Sequence, residues 1–159
     1  WSRRLKKVGS SLRIGSGWNI EMLGSVYLGD SVELGRLGWI SFTSSAGVLK
    51  IGSGCYIGNF FLCSIEGVLQ IEDEVMISDR VYIGDANHNY SDSSVSIIKQ
   101  GMGESSTVII GTGSWIGVGA VILPGVVLGR NCVIGSNAVV TKSYPDYSVI
   151  VGNPAVRIK

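Results

Sequence analysis

The sequence predicts an all-β solenoid, a single domain in which short strands and tight corners are wound into stacked coils. Three observations predict it. Hydrophobic residues make up 45% and charged residues 16% of the 159 residues, where roughly 25% charged is ordinary, so the chain is folded and not disordered. Glycine occurs 23 times, about twice the usual share, which indicates many corners. The third observation is a repeat of six residues.

The six-residue repeat is clearest in the second half of the chain. Its first position is always aliphatic, its second is usually glycine, and its fifth is small or β-branched. The first positions are Ile110, Ile116, Ile122, Leu128, Ile134 and Val140. We expect first and fifth positions to point inward, and the second-position glycine to take a backbone conformation that a Cβ disfavours. Three such units close a triangular coil, and roughly five to six coils stack backbone to backbone.

The same repeat runs through the first half with phase slips, and it then breaks. From Ile83 to Ile110 the chain advances 27 residues, where one unit would take six. We therefore expect one domain, 1–159, with these parts: solenoid at about 13–83 and 110–142, inserted active-site loop at 84–109, C-terminal tail at 143–159. A β-sandwich would instead show alternation of period two over longer strands, which is absent.

Composition excludes several functions. A net charge of +1 argues against a nucleic-acid partner, which would require a basic surface. The uncharged stretch 105–129 contains Pro124 and regularly spaced glycines, so the repeat explains it better than a transmembrane span. Three cysteines without a CxxC pair, together with one histidine, argue against a metal site. No signal peptide is visible, and we expect reduced cysteines, buried in the core, and a cytoplasmic location.

Three segments resemble a known family. They are Trp115-Ile116-Gly117 through Val126, Val139-Val140-Thr141-Lys142 through Gly152-Asn153-Pro154-Ala155, and Asp85-Ala86-Asn87-His88-Asn89-Tyr90. With the hexads they resemble the left-handed parallel β-helix of hexapeptide-repeat acyltransferases, most closely sugar O-acetyltransferases of the surface-polysaccharide and maltose/galactoside type. The resemblance implies the left hand, acetyl-CoA as co-substrate, and a homotrimer whose active sites lie between neighbouring solenoids. Phe60, Phe61, Trp39 and Tyr56 are candidates for that contact.

The acceptor side of the site is expected around His88, the only histidine. Transfer of an acyl group from a thioester to a hydroxyl requires a base within hydrogen-bond reach, and no enzyme nucleophile. The resemblance makes His88 that base. It also suggests substrate-binding roles, with Asp85 and Asn87 orienting the imidazole or binding hydroxyls and Trp115 forming a tunnel wall. The expected substrate-binding residues are Asn59, Asp85, Asn87, Tyr90 and Trp115.

The coenzyme A side is expected along the C-terminal coils. Small residues there leave room for the pantetheine arm to approach the backbone, and basic residues near the end of the chain can meet its phosphates. The expected contacts are Gly117, Gly119, Ala120, Ser136, Thr141, Lys142, Arg157 and Lys159. No metal is expected.

A β-solenoid can also serve functions other than sugar O-acetylation. A γ-class carbonic anhydrase needs three histidines, and an ice-binding solenoid needs a threonine array; this chain has neither. A non-catalytic scaffold stays open. For an enzyme, the acceptor is a saccharide hydroxyl, a streptogramin- or chloramphenicol-type xenobiotic, or the nitrogen of an amino sugar. The polar inserted loop favours the saccharide, because hydroxyl-rich acceptors are bound by polar groups and aromatic faces such as Tyr90.

Overall fold

The computed structural model describes residues 5–21 and 24–159, which form three sheets of short strands. The first sheet contains β1 (Leu5–Val8), β4 (Ser25–Leu28), β7 (Val48–Ile51), β10 (Val68–Ile71), β13 (Val108–Ile110) and β16 (Val127–Leu128). The second contains β2 (Arg13–Ile14), β5 (Glu33–Leu34), β8 (Tyr56–Ile57), β11 (Met76–Ile77), β14 (Trp115–Ile116), β17 (Val133–Ile134), β19 (Val149–Gly152) and β20 (Ala155–Arg157). The third contains β3 (Asn19–Ile20), β6 (Trp39–Phe42), β9 (Leu62–Ile65), β12 (Tyr82–Gly84), β15 (Val121–Ile122) and β18 (Val139–Val140).

The chain visits the three sheets in turn, so each set of three successive strands from β1 to β18 makes one coil. Strands of neighbouring coils pair in parallel; β15, for example, pairs with β12 below it and β18 above it. We call the turn from the first to the second sheet corner one, the next turn corner two, and the turn from the third sheet back to the first corner three. The fold is a left-handed parallel β-helix, which confirms the predicted class.

The core fills the inside of the triangle, as the repeat predicts. First positions such as Ile116 and Ile122 are 0% exposed, and so is Ala120 at a fifth position. Fifth positions are small because they share the narrow interior with first positions from the same coil. Phe61 is a fifth-position exception, and it is 1% exposed. The prediction that Phe61 takes part in a subunit contact is therefore wrong. Phe60, by contrast, is 49% exposed and remains available for such a contact.

The second-position glycines are needed for a different reason from the one expected. Left-handed φ angles fall at the fourth position instead, for example 70° at Gly119 and 58° at Asn137. At the second position the next coil approaches too closely for a side chain. A Cβ on Gly117 would lie 2.7 Å from the carbonyl oxygen of Ile134, and one on Gly111 would lie 2.4 Å from that of Gly129.

Parallel pairing extends beyond the expected limits at both ends. Strand β1 pairs with β4, so the coil is already formed before residue 13. At the other end Tyr144 bridges in parallel to Leu128, and β19 pairs with β17. Strand β20 then turns back antiparallel to β19, and the Tyr144 hydroxyl donates to the carbonyl oxygen of Ala155 at 2.6 Å. Much of the expected tail therefore closes the C-terminal end of the solenoid.

Candidate active site

The inserted loop is a protruding hairpin, residues 85–107, which we call the arm. It leaves corner three between the fourth and fifth coils and carries a one-turn helix, α1 (Ile97–Gln100), near its tip. Its two strands are joined by backbone bonds: the Gly103 N–H donates to the carbonyl oxygen of Asn87 at 2.7 Å, and the Asn89 N–H donates to that of Gly101 at 2.9 Å. His88 lies between these bonds, opposite Met102, and is exposed. The hairpin thus holds the backbone of His88 and leaves its imidazole open to solvent.

Asp85 lies under the root of the arm, and it is 1% exposed. Its Oδ1 accepts the backbone N–H of Glu66 at 2.7 Å, and its Oδ2 accepts that of Gly67 at 2.8 Å. Burial raises the pKa of Asp85, and these two hydrogen bonds partly oppose that rise. Both carboxylate oxygens hold corner three of the coil below. The prediction that Asp85 binds a substrate hydroxyl or contacts the imidazole is therefore wrong.

The other acceptor-side residues of the arm are open to solvent. Asn87 is exposed, and Tyr90 is 74% exposed. Both are sequence neighbours of His88 on the outgoing strand of the arm. The structure therefore groups His88, Asn87 and Tyr90 on one protruding element.

Asn59 and Trp115 lie elsewhere, at and beside corner two. The Asn59 Oδ1 accepts the Arg36 N–H at 2.9 Å, and its Nδ2 donates to the carboxylate of Asp79 at 3.2 and 3.3 Å. Asn59 is thus part of a ladder of side chains that joins corner-two turns of successive coils. Trp115 points outward from the second sheet, is 49% exposed, and donates from Nε1 to the Ser78 hydroxyl at 3.0 Å.

Ser78 and Asp79 are candidate site residues that the sequence analysis missed. Ser78 occupies a second position, where the repeat usually has glycine, and its hydroxyl fixes the Trp115 ring. Asp79 follows it and holds the Asn59 amide. The sequence did contain a sign of this site: Ser78 replaces the usual second-position glycine directly after Ile77, a regular first position.

Corner two also carries backbone N–H groups that meet no acceptor among residues 5–21 and 24–159. In the lower coils, the third-position N–H donates to a side chain of the coil above, as the Asn59 N–H does to Asp79 Oδ1 at 2.7 Å. No acceptor within the described part of the chain meets the N–H groups of Asp79, Val118 or Ser136. These three groups occupy equivalent positions in successive coils, so they form a line of free donors beside Trp115.

The expected coenzyme A residues divide among three places. Gly117, Gly119 and Ser136 lie at corner two. Thr141 and Lys142 lie exposed at corner three of the last complete coil, with the Lys142 Nζ 5.8 Å from the centre of the Tyr144 ring. Arg157 and Lys159 are exposed at the C-terminal end, where the Arg157 Nε donates to the Lys159 carbonyl oxygen at 2.6 Å. Ala120 is the exception. It is 0% exposed, so its side chain lies in the core and cannot touch a cofactor.

Corner two and corner three are separated by the width of the third sheet. In the fifth coil this width is the segment from Gly119 to Leu123, about 13 Å at 3.3 Å per residue of extended chain. The described hydrogen bonds of residues 87–104 stay within the arm. Within the described part of one chain, no hydrogen bond joins the arm to Trp115 or Asn59, and the two corners lie at opposite edges of the third sheet.

Three further features concern metal binding, the cysteines and membrane-spanning helices. Among residues 5–21 and 24–159, no three His, Cys, Asp or Glu side chains lie close enough together to hold a metal ion. Cys55, Cys63 and Cys132 are buried free thiols, as predicted, and burial raises the pKa of each. In the described part of the chain no helix is long and apolar enough to cross a membrane.

Comparison with known proteins agrees with this architecture. Residues 107–142 match the family described as bacterial transferase hexapeptide (six repeats). A probable acetyltransferase of Mycobacterium tuberculosis is 35% identical over 153 residues, 86% of this chain and 50% of the relative, so the chain spans half the length of that protein.

Two solved structures show the same fold. AntD, an N-acyltransferase from Bacillus cereus solved with dTDP and 3-hydroxybutyryl-CoA, is 23% identical with a TM-score of 0.83, over 98% of this chain and 83% of that one. A maltose O-acetyltransferase from Clostridium difficile is 27% identical with a TM-score of 0.62, over 99% and 70%. Residues 107–142 thus carry the hexapeptide repeat of bacterial transferases, and the chain shares the fold of these two acyltransferases.

Proposed function

We propose that the chain is an acyl-CoA-dependent acyltransferase that moves an acetyl group to a hydroxyl of a saccharide in the cytoplasm, with His88 as general base. One observation carries the proposal: the arm presents the only histidine of the chain, exposed and held by its backbone on the longest excursion from the described coils. The mycobacterial relative and the solved acyltransferases support the reaction class.

The chemistry asks little of the protein. The imidazole of His88 accepts the proton of the acceptor hydroxyl as its oxygen bonds to the thioester carbonyl carbon. The carbon–sulfur bond then breaks, and the proton passes from the imidazolium to the leaving thiolate. The transfer is direct, without an acyl-enzyme, because Cys55, Cys63 and Cys132 are buried in the core.

The free donors at corner two fit the thioester substrate. A pantetheine arm carries amide carbonyls along an extended chain, and the N–H groups of Asp79, Val118 and Ser136 offer a line of donors to such a chain. Val118 lies three residues after Trp115, so its N–H is the one we assign to the oxyanion that develops on the thioester carbonyl. Lys142 supplies positive charge for phosphates.

A complete site needs two copies of the chain. His88 lies on corner three and Trp115 beside corner two, so a neighbouring copy must bring its corner two against the arm. Exposed apolar side chains are available for that contact, with Trp39 46%, Tyr56 37% and Phe60 49% exposed. We propose a cyclic homotrimer, in which each of three equivalent contacts builds one site.

An amino-sugar nitrogen is the second candidate acceptor. AntD overlays 98% of this chain with TM-scores of 0.84 and 0.83 in two of its complexes, higher than the 0.62 of the maltose enzyme. At 24% and 23% sequence identity, the similarity to AntD supports a shared fold and no more. The polar arm suits either acceptor, because hydroxyl and amino sugars present similar hydrogen-bonding groups.

The test is release of free thiol from acetyl-CoA in the presence of maltose, a galactoside, a nucleotide-linked amino sugar or chloramphenicol. We expect turnover with a saccharide, and a loss of about 10²–10⁴-fold in kcat for His88→Ala. Ser91→Ala is the matched control, since Ser91 is exposed on the same arm. Acetylation of the antibiotic alone, or wild-type kcat for His88→Ala, would contradict the proposal; transfer only to the amino sugar would select the second candidate.

A further inference from the structure

We infer that Asp85 is a positioning residue, whose buried carboxylate clamps the root of the arm and thereby sets where His88 stands. Its value for catalysis rests on the proposed function, because the position of His88 matters only if His88 acts. Within residues 5–21 and 24–159 the buried polar or charged side chains are those of Asp85, Ser114 and Ser148, so Asp85 is the one buried carboxylate.

The clamp joins the arm to the coil beneath it. Each carboxylate oxygen accepts one backbone N–H of the preceding corner three, from Glu66 at 2.7 Å and from Gly67 at 2.8 Å. The backbone of Asp85 is held as well, because its N–H donates to the Ser64 carbonyl oxygen at 3.2 Å. A buried charge is tolerated only when such hydrogen bonds offset its desolvation, and both oxygens have one.

The returning strand of the arm meets the same point. The Ser106 N–H donates to the carbonyl oxygen of Asp85 at 2.7 Å. Ser105 packs over Gly67 so closely that a Cβ on Gly67 would lie 2.5 Å from the Ser105 hydroxyl oxygen. Outgoing strand, returning strand and lower coil are therefore all joined at Asp85.

Because His88 lies some distance from Asp85 along the arm, a small tilt of the arm at Asp85 moves His88 by a larger amount. His88 is three residues beyond Asp85, about 10 Å along an extended strand. A tilt of about 10° at the root would move His88 by about 2 Å on this lever arm. Misplacement of a reacting group by about 1 Å can cost on the order of 10²-fold in rate.

An amide cannot replace this carboxylate. The two N–H groups of Glu66 and Gly67 each need an acceptor, and asparagine has only one side-chain oxygen. Its NH₂ would face the second N–H, so one bond of the clamp is lost and two donors oppose each other. Asp85→Asn keeps the size of the side chain, which makes it a test of the clamp and not of packing.

The matched control is Asp73→Asn. Asp73 belongs to the same coil, and its Oδ1 likewise accepts a backbone N–H of the coil below, that of Ser53 at 2.7 Å. It lies at corner one, away from the arm. Both variants therefore lose a carboxylate that holds a lower corner, and only Asp85→Asn loosens the arm.

Two readouts separate positioning from general destabilisation. Because His88 is the only histidine, the imidazole gives one set of NMR resonances that needs no assignment. For Asp85→Asn we expect a shifted or broadened imidazole resonance, kcat reduced about 10–100-fold, and KM for acetyl-CoA within about twofold of wild type. Asp73→Asn should match wild type in all three.

Wild-type imidazole resonance and kcat in Asp85→Asn would overturn the inference, and so would an equal loss in Asp73→Asn. If Asp85→Asn does not fold, hydrogen exchange on wild type decides: the Glu66 and Gly67 amides must be protected and open together with the Gly103 amide of the arm. Independent opening would refute the clamp. Failure of the proposed function has a different signature, namely His88→Ala with unchanged turnover.

Discussion

Replacing Gly111 with alanine tests why the repeat places glycine at its second position. A Cβ there would lie 2.4 Å from the carbonyl oxygen of Gly129 and 2.7 Å from that of Leu128. Ordinary contact begins near 3.4 Å, so the two coils must separate by about 1 Å, and both obstacles are backbone atoms that cannot rotate away. The Gly111 N–H bond to Leu128, 2.9 Å long, would then stretch beyond hydrogen-bonding distance.

The expected change in stability combines two losses and one smaller gain. Loss of one or two ladder bonds costs about 1 kcal/mol each, and forced overpacking adds about 1–3 kcal/mol. Alanine also lowers the conformational entropy of the unfolded chain, which stabilises the folded state by up to about 1 kcal/mol. We therefore expect Gly111→Ala to lower the free energy of unfolding by about 1–5 kcal/mol, with about 3 kcal/mol at the centre of this range, and Tm by roughly 6–12 °C at that centre for a chain of this size.

The control is Gly54→Ala, at a fourth position. Gly54 has φ of 69°, and the nearest atom to a Cβ there is the Glu74 Cγ at 3.6 Å. Only the cost of the left-handed conformation remains, about 1–2 kcal/mol before the same unfolded-state gain. Both variants are melted at equal protein concentration with the same scan rate. A Tm loss for Gly111→Ala equal to or smaller than that for Gly54→Ala would refute the close-approach explanation.

Three further predictions concern the site and its surroundings. Val118→Trp should raise KM for acetyl-CoA more than about 10-fold at unchanged Tm, because Val118 is 44% exposed and a large ring there covers the free donors. Cys55, Cys63 and Cys132 should react with a thiol reagent only as fast as the protein unfolds, since all three are buried; fast labelling of the native protein would contradict this. Stability should fall as pH rises from 3.8 through the raised pKa of Asp85, because the folded chain binds that proton more tightly than the unfolded chain, and Asp85→Asn should lack this component of the Tm–pH curve.

Much of the fold follows from the sequence because one physical pattern recurs in every coil. An aliphatic residue every sixth position must find an interior, and three faces per coil provide it, so Ile116 and Ile122 could be placed in the core from spacing alone. The reason for the second-position glycines could not be deduced that way. It depends on how closely neighbouring coils stack, which is a property of backbone pairing and not of a single hexad.

The site was harder to predict because residue type does not show which partners a side chain will find. Asp85 looks like ordinary loop polarity in the sequence, yet its carboxylate is fully used beneath the arm. Asn59 looks like a free amide, yet it belongs to the corner-two ladder with Asp79. The placement of Trp115 and His88 at different corners could have been predicted from the sequence. Counting hexads in groups of three places Trp115 just before corner two, whereas the arm with His88 follows a strand of the third sheet.

The most direct test of the central claim, that an acyltransferase site forms between copies of this chain, is to mix two impaired variants. His88→Ala removes the base from the arm, and Val118→Trp covers the donors at corner two. After co-refolding at equal amounts, random trimers should contain both intact halves at about one quarter of their sites, so thiol release should recover to about a quarter of the wild-type rate. With acetyl-CoA held well below the wild-type KM, each variant alone should show less than about a tenth of the wild-type rate. Recovery at that level supports a shared site, whereas no recovery from verified mixed trimers would show that each chain builds its site alone and would contradict the account.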